Sequence, residues 1–243
     1  MLASYSRNFI FLKTLKTAST SLELVFSQLC GPRDIISPIG ARWELERAKL
    51  GVMPRNFSRS RELEKEYRRA LRKGKKGALR RVSKANRDQH GCTGHMHAAN
   101  VRNWVDAEFW EGAVKITSER HPYEKALSLA RFSFSGDADQ DPQAWEEHVN
   151  ETVRKGRIRG FPVYSIEGQA VVQPENVIRY ENLAEDTQRI VTQLGGADGI
   201  ELPQTRTTQA EDRLPAAEVL TPWQRRRVRR RCADEFEFLG WED

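Results

Sequence analysis

The sequence has few cysteines and no long apolar run. Its three cysteines, Cys30, Cys92 and Cys232, are odd in number and widely spaced among 243 residues. That pattern excludes a disulfide framework and fits a reducing compartment. No apolar stretch reaches the length of a membrane-spanning helix, and the apolar run that starts at Phe9 leaves no room for a secretory signal before it. These absences predict a soluble, cytoplasmic protein.

Acidic and aromatic residues are scarce in the segment 59–87. It holds 13 Lys or Arg against 3 Glu, a local charge of +10, whereas the whole chain carries +6 and the remainder therefore −4. Tyr67 is its only aromatic residue, while proteins that bind single-stranded nucleic acid interleave basic residues with stacking rings. The composition favours a solvated helical face over a nucleic-acid site, and a surface that gathers an anionic substrate is a third interpretation.

The standard triphosphate-binding pattern G-x-x-x-x-G-K-[ST] is also absent, and no acidic residue at a strand end offers a clear magnesium ligand. A different loop is present near the start of the chain. The apolar residues 9–12 predict a buried strand, and the helical spacing of Leu22, Val25, Phe26 and Leu29 predicts a helix that stops at Gly31 and Pro32. Between them lies a short polar loop.

A strand, a tight loop and a helix present backbone N–H groups and a helix N-terminus to whatever occupies the loop. This arrangement predicts an anion site. Lys16 adds a mobile positive charge, and hydroxyl donors are added by Ser19, Thr20 and Ser21.

Three of the five histidines fall close together, in the segment 89–102. His90, His95 and His97, with Cys92, are all zinc-ligand types, but their spacing fits no standard zinc site and no second ligand cluster follows. We therefore expect no metal. A catalytic base is the better functional interpretation, because imidazole titrates near neutral pH. An ordinary surface histidine is the alternative for each of them.

A second strand and helix follow that segment. Residues 113–117 predict a buried strand, and Pro122 fits the first turn of a helix. Arg120 lies at the turn between them, and Ser128 lies two turns along the helix. Arginine is a natural bidentate partner for phosphate at such a turn. An ion pair with a nearby carboxylate is the alternative.

The rest of the chain predicts an α/β domain spanning 1–243, with a loop-rich and basic helical insertion at about 35–88. Further helices are expected at 61–73, around 79–82, at 106–112, at 143–155, up to about 194 and from Thr221 onward, with a third strand at 177–180. Segments 31–58, 133–142, 156–170 and 197–217 are expected to be irregular. The last helix has Trp223, Val228, Cys232 and Phe236 on its packing side, and its six arginines between 225 and 231 predict a solvated face.

The polar loop Leu15–Leu22 resembles the P-K-T-G/A-G-T-S-L loop of sulfotransferases that use 3′-phosphoadenosine-5′-phosphosulfate (PAPS). Arg120–Ser128 is similar to their R-N-P-x-x-R-x-x-S motif, the segment around His95 to a K-H-A-T-A-like segment, and 178–183 to an R-Y-E-x-L strand end. The matches keep their order along nearly the whole chain except about 35–88. Departures are Leu15 for Pro, Ser19 for Gly, His121 for Asn and Lys125 for Arg. The change at Ser19 matters if that position requires a positive φ.

The resemblance implies a mostly parallel central sheet flanked by helices, with PAPS as donor and no metal. It implies that Lys16 stabilises the leaving group, that Arg120 and Ser128 bind the 3′-phosphate, and that His95, or else His97, is the base. The 5′-phosphate would be bound by Thr17, Ala18, Ser19, Thr20 and Ser21. The expected acceptor is a hydroxyl of a glycan or another carbohydrate. The competing hypotheses are an ATP-dependent phosphotransferase and a non-enzymatic protein that binds anions or nucleic acid through 59–87.

Overall fold

A mixed five-stranded sheet lies at the centre of the protein. The computed structural model describes residues 1–197, 199, 202–203 and 214–242. Within them the strands are β1 (Leu2–Ser4), β2 (Phe9–Leu12), β3 (Ile35–Ile36), β4 (Val114–Glu119), β5 (Ser165–Ile166), β6 (Gln169–Ala170) and β7 (Val177–Arg179). The central sheet has the order β3-β1-β2-β4-β7, and β5 and β6 form a separate hairpin.

Helices cover both faces of this sheet. Those in the first half of the chain are α1 (Ser19–Gln28), α2 (Ala41–Lys49), α3 (Arg61–Arg72), α4 (Lys76–Asp88), α5 (Ala98–Arg102) and α6 (Ala107–Gly112). Those in the second half are α7 (Pro122–Ser133), α8 (Pro142–Lys155), α9 (Leu183–Gln193), α10 (Ala216–Val219), α11 (Pro222–Arg231) and α12 (Ala233–Leu239). None of the described helices has the length and apolar character needed to cross a membrane.

The parallel part of the sheet is its β2-β4-β7 half. β2 pairs with β4 and β4 with β7 in parallel, whereas β1 is antiparallel to both β2 and β3. The α/β class is therefore confirmed, and the sheet is mixed rather than mostly parallel in its pairings. The sequence interpretation overlooked β1, which has three residues and turns back into β2 through Asn8 at φ 53°. A strand this short gives no readable period.

Alternation along β2 separates two apolar layers, as expected for a strand buried on both faces. Phe9 and Phe11 pack with the apolar stripe of α1 and with α9, while Ile10 and Leu12 face the layer that contains α3 and α4. Tyr67 and Leu79 lie in that second layer and are fully or almost fully buried. The basic hairpin of α3 and α4 therefore contributes to the core of the sheet.

Several expected elements are present close to their predicted bounds. These are α1, α3, α4, α6, β4, α7, α8, β7 and α9. The last helix begins as predicted, because Thr221 and Gln224 form a capping box around Pro222. It is interrupted at Cys232, so that α11 and α12 are separate helices.

Three interpretations of local structure were wrong. The segment 31–58 contains β3 and α2. Arg47 of that helix is fully buried and pairs with Glu44, three residues earlier in α2, at 2.6 Å; it also donates to the Ser37 carbonyl outside the helix, a contact that no local periodicity indicates. The segment 156–170 contains the β5–β6 hairpin, whose turn is formed by Glu167 and Gly168 with positive φ. Trp223 is 45% exposed and is not on the packing side of α11. Most of 197–217 lies outside the described residues.

Candidate functional site

The loop between β2 and α1 has a backbone that favours anion binding. Lys16 and Ala18 adopt left-handed conformations, with φ of 64° and 54°. Ala18 is the N-cap of α1, no side chain of the described residues caps this helix, and its first turn contains no acidic residue. Because the first N–H groups of a helix have no intrahelical acceptor, the uncapped end of α1 carries partial positive charge. An anion at this position would satisfy those groups.

The loop hydroxyls are mostly engaged with the scaffold. Thr17 Oγ1 lies 3.0 Å from Thr14 Oγ1 and 2.7 Å from Ser118 Oγ on β4, and Ser19 Oγ donates to the Thr14 carbonyl at 2.8 Å. Lys13 Nζ lies 3.5 Å from Thr20 Oγ1, and Ser21 is buried. In this state Thr17 and Ser19 shape the loop, so the backbone N–H groups are its main anion donors.

Ser19 is not the strained position of the loop. It is the first residue of α1 and has no positive φ; the left-handed residues are Lys16 and Ala18. The concern that Ser19 needs a glycine conformation is therefore removed. The backbone strain lies at Lys16 and Ala18, because each left-handed non-glycine residue costs about 1–2 kcal/mol. Strain of this kind clusters at binding loops.

A buried ion pair fixes the loop to α1. Lys13 Nζ donates to Glu23 Oε2 at 2.7 Å, and the amino nitrogen of Met1 lies 3.6 Å from Glu23 Oε1. Burial alone would raise the pKa of Glu23, but the Lys13 ammonium and the Met1 amino group outweigh it and lower the pKa to about 2. Glu23 is fully buried. The sequence interpretation overlooked this pair, whose members are ten positions apart with no periodic signal.

His95 is the histidine that reaches the loop. Its Nδ1 lies 2.9 Å from the Lys13 carbonyl; since a carbonyl only accepts, Nδ1 carries the proton and Nε2 is left as an acceptor. Burial and the Lys13 ammonium lower the pKa of His95 to about 4, although the bond to the carbonyl raises it. His95 is therefore neutral at physiological pH, in the tautomer a base requires.

The other residues of this segment lie in different surroundings. His97 is exposed as the N-cap of α5, His90 is exposed with φ 57°, and Cys92 is buried in the core. Burial raises the pKa of the Cys92 thiol. Among the described residues, no group of three or more His, Cys, Asp or Glu side chains could hold a metal ion.

Arg120 follows β4 directly and is held by two neighbours. Its Nη2 donates to Glu124 Oε2 at 3.1 Å, and its guanidinium lies 4.0 Å from the centre of the Tyr180 ring. Arg120 Nε is buried with no hydrogen-bond partner among the described residues. The sequence alternative of a carboxylate partner is thus realised, and the guanidinium still has an unused donor.

Ser128 shares a face of α7 with Glu124 and Phe132, because these residues are four apart. Lys16 Nζ lies 4.2 Å from the centre of the Phe132 ring. The face that carries Ser128 is therefore in contact with the loop lysine at one end and with Arg120 at the other. The sequence interpretation assigned no role to Phe132, Glu124 or Tyr180.

Lys125 has a structural role. It is 2% exposed and donates to both carboxylate oxygens of Glu119, at 2.8 and 3.1 Å. Burial and Glu235 raise the pKa of Glu119 to about 7, although the Lys125 ammonium lowers it. A Cβ at Gly160 would lie 1.5 Å from Glu119 Oε1, so glycine is required there for the pair to form. Lys125 therefore holds the scaffold next to the end of β4 and is not available to a ligand in this state.

Strand register brings these parts together. Leu12 pairs with Thr117, and both parallel strands end at the same edge of the sheet. The Thr14 hydroxyl donates to the Ser118 carbonyl, which ties the loop to the end of β4. At this edge His95 contacts Lys13, and Lys16 contacts Phe132 of α7. Arg120 follows the end of β4, and Ser128 lies one helical turn before Phe132.

Comparisons of the chain with family models, with curated proteins and with solved structures find no match. The arrangement of the site itself is consequently the basis for any functional conclusion. One indirect signal in the sequence indicated Ser118 and Tyr180, because both lie at the ends of strands that the sequence did predict, 113–117 and 177–180.

Proposed function

We propose that the protein is a PAPS-dependent sulfotransferase whose acceptor is a hydroxyl of a glycan or another carbohydrate. The observation that carries this proposal is the pairing of two anion-binding elements at one sheet edge. The uncapped end of α1 is the first, and Arg120 with Ser128 is the second. A donor with separate 5′- and 3′-phosphate groups needs two such elements.

The first element suits the 5′-phosphosulfate. The N–H groups of residues 17–21 and the Thr20 hydroxyl would bind it at the N-terminus of α1. Lys16 would stabilise charge on the phosphate oxygen as the S–O bond breaks. Positive charge placed where negative charge develops is worth about 10²–10³ in rate, which is the role proposed for Lys16.

The second element suits the 3′-phosphate. Arg120 would exchange its contact with Glu124 for a phosphate oxygen, and its unpartnered Nε supplies another donor. A charged hydrogen bond of this kind is shorter and stronger than a neutral one. The Ser128 hydroxyl, one turn before Phe132, would provide an additional donor.

His95 would act as the base. Its Nε2 would take the proton of the acceptor hydroxyl while the acceptor oxygen forms a bond to sulfur and the bond from sulfur to the phosphate oxygen breaks. The leaving group is adenosine 3′,5′-bisphosphate. Bound donor anions would raise the low pKa of His95, so the base becomes stronger only when the donor is present. No metal is required, because the loop and Lys16 supply the positive charge.

The acceptor class is supported by the surface next to the site. The hairpin 61–88, which consists of α3, α4 and the turn between them, exposes eleven Lys or Arg side chains, and α4 leads directly into the segment that carries His95. An acidic glycan would be attracted to that surface. A nucleic acid would also be attracted, and this competing hypothesis requires its own test.

Thermal melting with three ligands tests the proposal. Adenosine 3′,5′-bisphosphate at 100 times its dissociation constant stabilises a protein by about 2.7 kcal/mol, and adenosine 5′-monophosphate should stabilise this one less. Mg-ATP should have no larger effect than the monophosphate. No shift with the bisphosphate would refute the proposal, and a larger shift with Mg-ATP would favour a phosphotransferase.

Matched variants extend that experiment to turnover. Lys16→Ala should lower transfer of radiolabelled sulfate by about 10²–10³-fold. Lys49→Ala is the control, because Lys49 is an exposed lysine on α2 paired with Glu46. Equal activity of the two variants would exclude the role assigned to Lys16. Salt-dependent DNA binding that is lost on reversing charges at 59–87, without sulfate transfer, would favour the non-enzymatic hypothesis.

A further inference from the structure

A second basic surface lies on α11. A cavity of about 790 Å³ is lined by Tyr123, Trp223 and five arginines of α11, together with Pro222 and Ala233, and none of these lining residues is a carboxylate. Its volume falls in the range of small-ligand sites. We call it the arginine cavity. The sequence expectation of a merely solvated arginine face does not account for this concave shape.

The arginine cavity and the candidate site are on different faces of α7. Tyr123 belongs to the stripe of α7 that packs against α11 and α12, with Val228 and Phe236. Ser128 and Phe132 lie on the face that contacts the β2–α1 loop. A ligand in the arginine cavity would thus be separate from a donor bound at the sheet edge.

Four arginines of the cavity have no ion-pair partner in the described part of the chain: Arg225, Arg226, Arg227 and Arg230. Arg227 Nε is buried there with no hydrogen-bond acceptor. By contrast, Arg231 donates to the carbonyls of Val153 and Gly156 and belongs to the scaffold. A buried N–H without an acceptor costs about 1–3 kcal/mol, which an anionic ligand would remove.

The residue types of α11 favour a ligand that carries phosphate groups over a ligand with any other negative charge. α11 has arginine and no lysine, whereas α3 and α4 mix both. Guanidinium groups bind phosphate oxygens in a bidentate manner, while lysine acts as a point charge. Trp223, which is 45% exposed at the rim, offers an apolar face to a ring.

The spacing favours a compact ligand over a polymer. Arg226 to Arg230 spans about 6 Å along the helix axis, at 1.5 Å per residue. The basic residues of α3 and α4 extend over helices of about 18 and 20 Å by the same measure. Single-stranded nucleic acid requires successive stacking rings. Among the described residues that line the arginine cavity, Trp223 is the one exposed ring, because Tyr123 is buried.

We propose that the arginine cavity binds a compact ligand with several phosphate ester groups on a ring. Such a ligand has two possible sources, a free metabolite or the headgroup of a phosphoinositide lipid. The proposal does not depend on sulfuryl transfer, and its test uses no sulfate donor.

Binding of inositol hexakisphosphate to the full chain, measured by calorimetry, tests this. The double variant Arg226→Ala/Arg230→Ala should bind it about 10–100-fold more weakly, the loss expected for charged hydrogen bonds of about 1.5–3 kcal/mol. Arg72→Ala/Arg80→Ala removes the same charge from exposed positions of α3 and α4 and should change binding less than about twofold. Equal losses in both variants would overturn the proposal, because they would indicate unspecific attraction.

Two further measurements separate the sites and the sources. Saturating adenosine 3′,5′-bisphosphate should not displace the hexakisphosphate; competition would overturn the proposal by assigning both ligands to one site. Phosphatidylcholine vesicles with phosphatidylinositol bisphosphate should be bound through Arg226 and Arg230 if the source is a lipid, and binding of the soluble ligand alone supports a free metabolite. Tighter binding of single-stranded DNA than of the hexakisphosphate, lost in the same double variant, would instead indicate a nucleic-acid surface and refute the compact ligand.

Discussion

The two strand–helix connections at the sheet edge differ in how their polar groups are used. The β2–α1 connection has buried, committed side chains: Lys13 is paired with Glu23, and Thr17 is bonded to Ser118. Its helix end has no side-chain cap. The β4–α7 connection is the reverse, because His121 accepts from the Tyr123 N–H and caps α7, while Arg120 has an exchangeable pair with Glu124, at side-chain exposures of 16% and 29%.

Under the proposed function, this contrast predicts that the two connections bind their phosphate groups in different ways. The first connection is a preformed cradle. Its side chains already have partners within the protein, so a bound ligand would contact backbone N–H groups. The second connection would bind its phosphate through the Arg120 side chain, which would exchange its contact with Glu124 for a phosphate oxygen. A rigid cradle beside an exchangeable arginine positions one end of a donor firmly and lets the other adjust.

The largest expected effect is on turnover through His95. His95→Ala should lower turnover by about 10²–10⁴-fold, whereas His97→Ala at the exposed start of α5 should change it less than about twofold. Because the proposed base is the neutral form of His95, and burial lowers the pKa of His95 to about 4, kcat/KM for the donor should fall only as the pH drops through about 4. The acid limb of the pH profile of kcat should lie at a higher pH than that of kcat/KM, because the bound donor anions would raise the pKa of His95. A full loss with His97→Ala and none with His95→Ala would reverse the assignment.

The next effect concerns the stability of the cradle. Glu23→Gln leaves the Lys13 ammonium buried without a counter-charge and should cost about 3–5 kcal/mol in free energy of unfolding. Glu46→Gln, which breaks the exposed pair with Lys49, should cost about 0–1 kcal/mol. Denaturant unfolding measures both. Similar losses of unfolding free energy in the two variants would show that the buried pair stabilises the protein no more than an exposed pair does.

The same pair predicts a pH dependence. The pKa of Glu23 is lowered in the folded state from 4.5 to about 2, so the unfolded chain binds more protons between these values. The stabilisation it provides is complete above about 4.5 and is lost as the pH falls towards 2. In Glu23→Gln this part of the pH dependence should disappear, and an unchanged acid limb would contradict the assignment.

A smaller effect is expected from Arg120. Arg120→Ala should weaken the binding of adenosine 3′,5′-bisphosphate by about 10–100-fold, since a hydrogen bond to a charged group is worth about 1.5–3 kcal/mol. The same substitution should change the affinity for adenosine 5′-monophosphate by less than about twofold. Arg102→Ala, at an exposed pair with Glu111, is the control of equal charge. Calorimetry with both nucleotides would show equal losses if Arg120 had no specific contact with the 3′-phosphate.

The smallest effect lies in the strained loop backbone. Ala18→Gly should stabilise the protein by up to about 1 kcal/mol, because glycine adopts φ 54° without the Cβ penalty. Ser19→Gly should destabilise it by about 1 kcal/mol, since it removes the bond to the Thr14 carbonyl and places glycine in α1. Thermal unfolding distinguishes the two. Stabilisation by Ser19→Gly would contradict the loop conformation described above.

Local pattern was enough to predict the elements that frame the site. Short-range spacing identified α1 through the stripe that begins at Leu22, and Pro122 identified the start of α7. Partners distant in sequence could not be predicted. Ser118 meets Thr17 across 101 positions and His95 meets Lys13 across 82, and no local periodicity encodes either contact.

The sequence by itself determined that a polar loop joins a buried strand to a helix, that Arg120 lies in the turn after a second strand, and that basic residues concentrate in 59–87. Only the tertiary structure decided which histidine reaches the loop, which loop residues carry the strain, and that the arginines of α11 surround a cavity. The physical reason is that strand and helix patterns depend on neighbours a few residues apart, whereas tautomer, burial and charge pairing depend on residues that folding brings together.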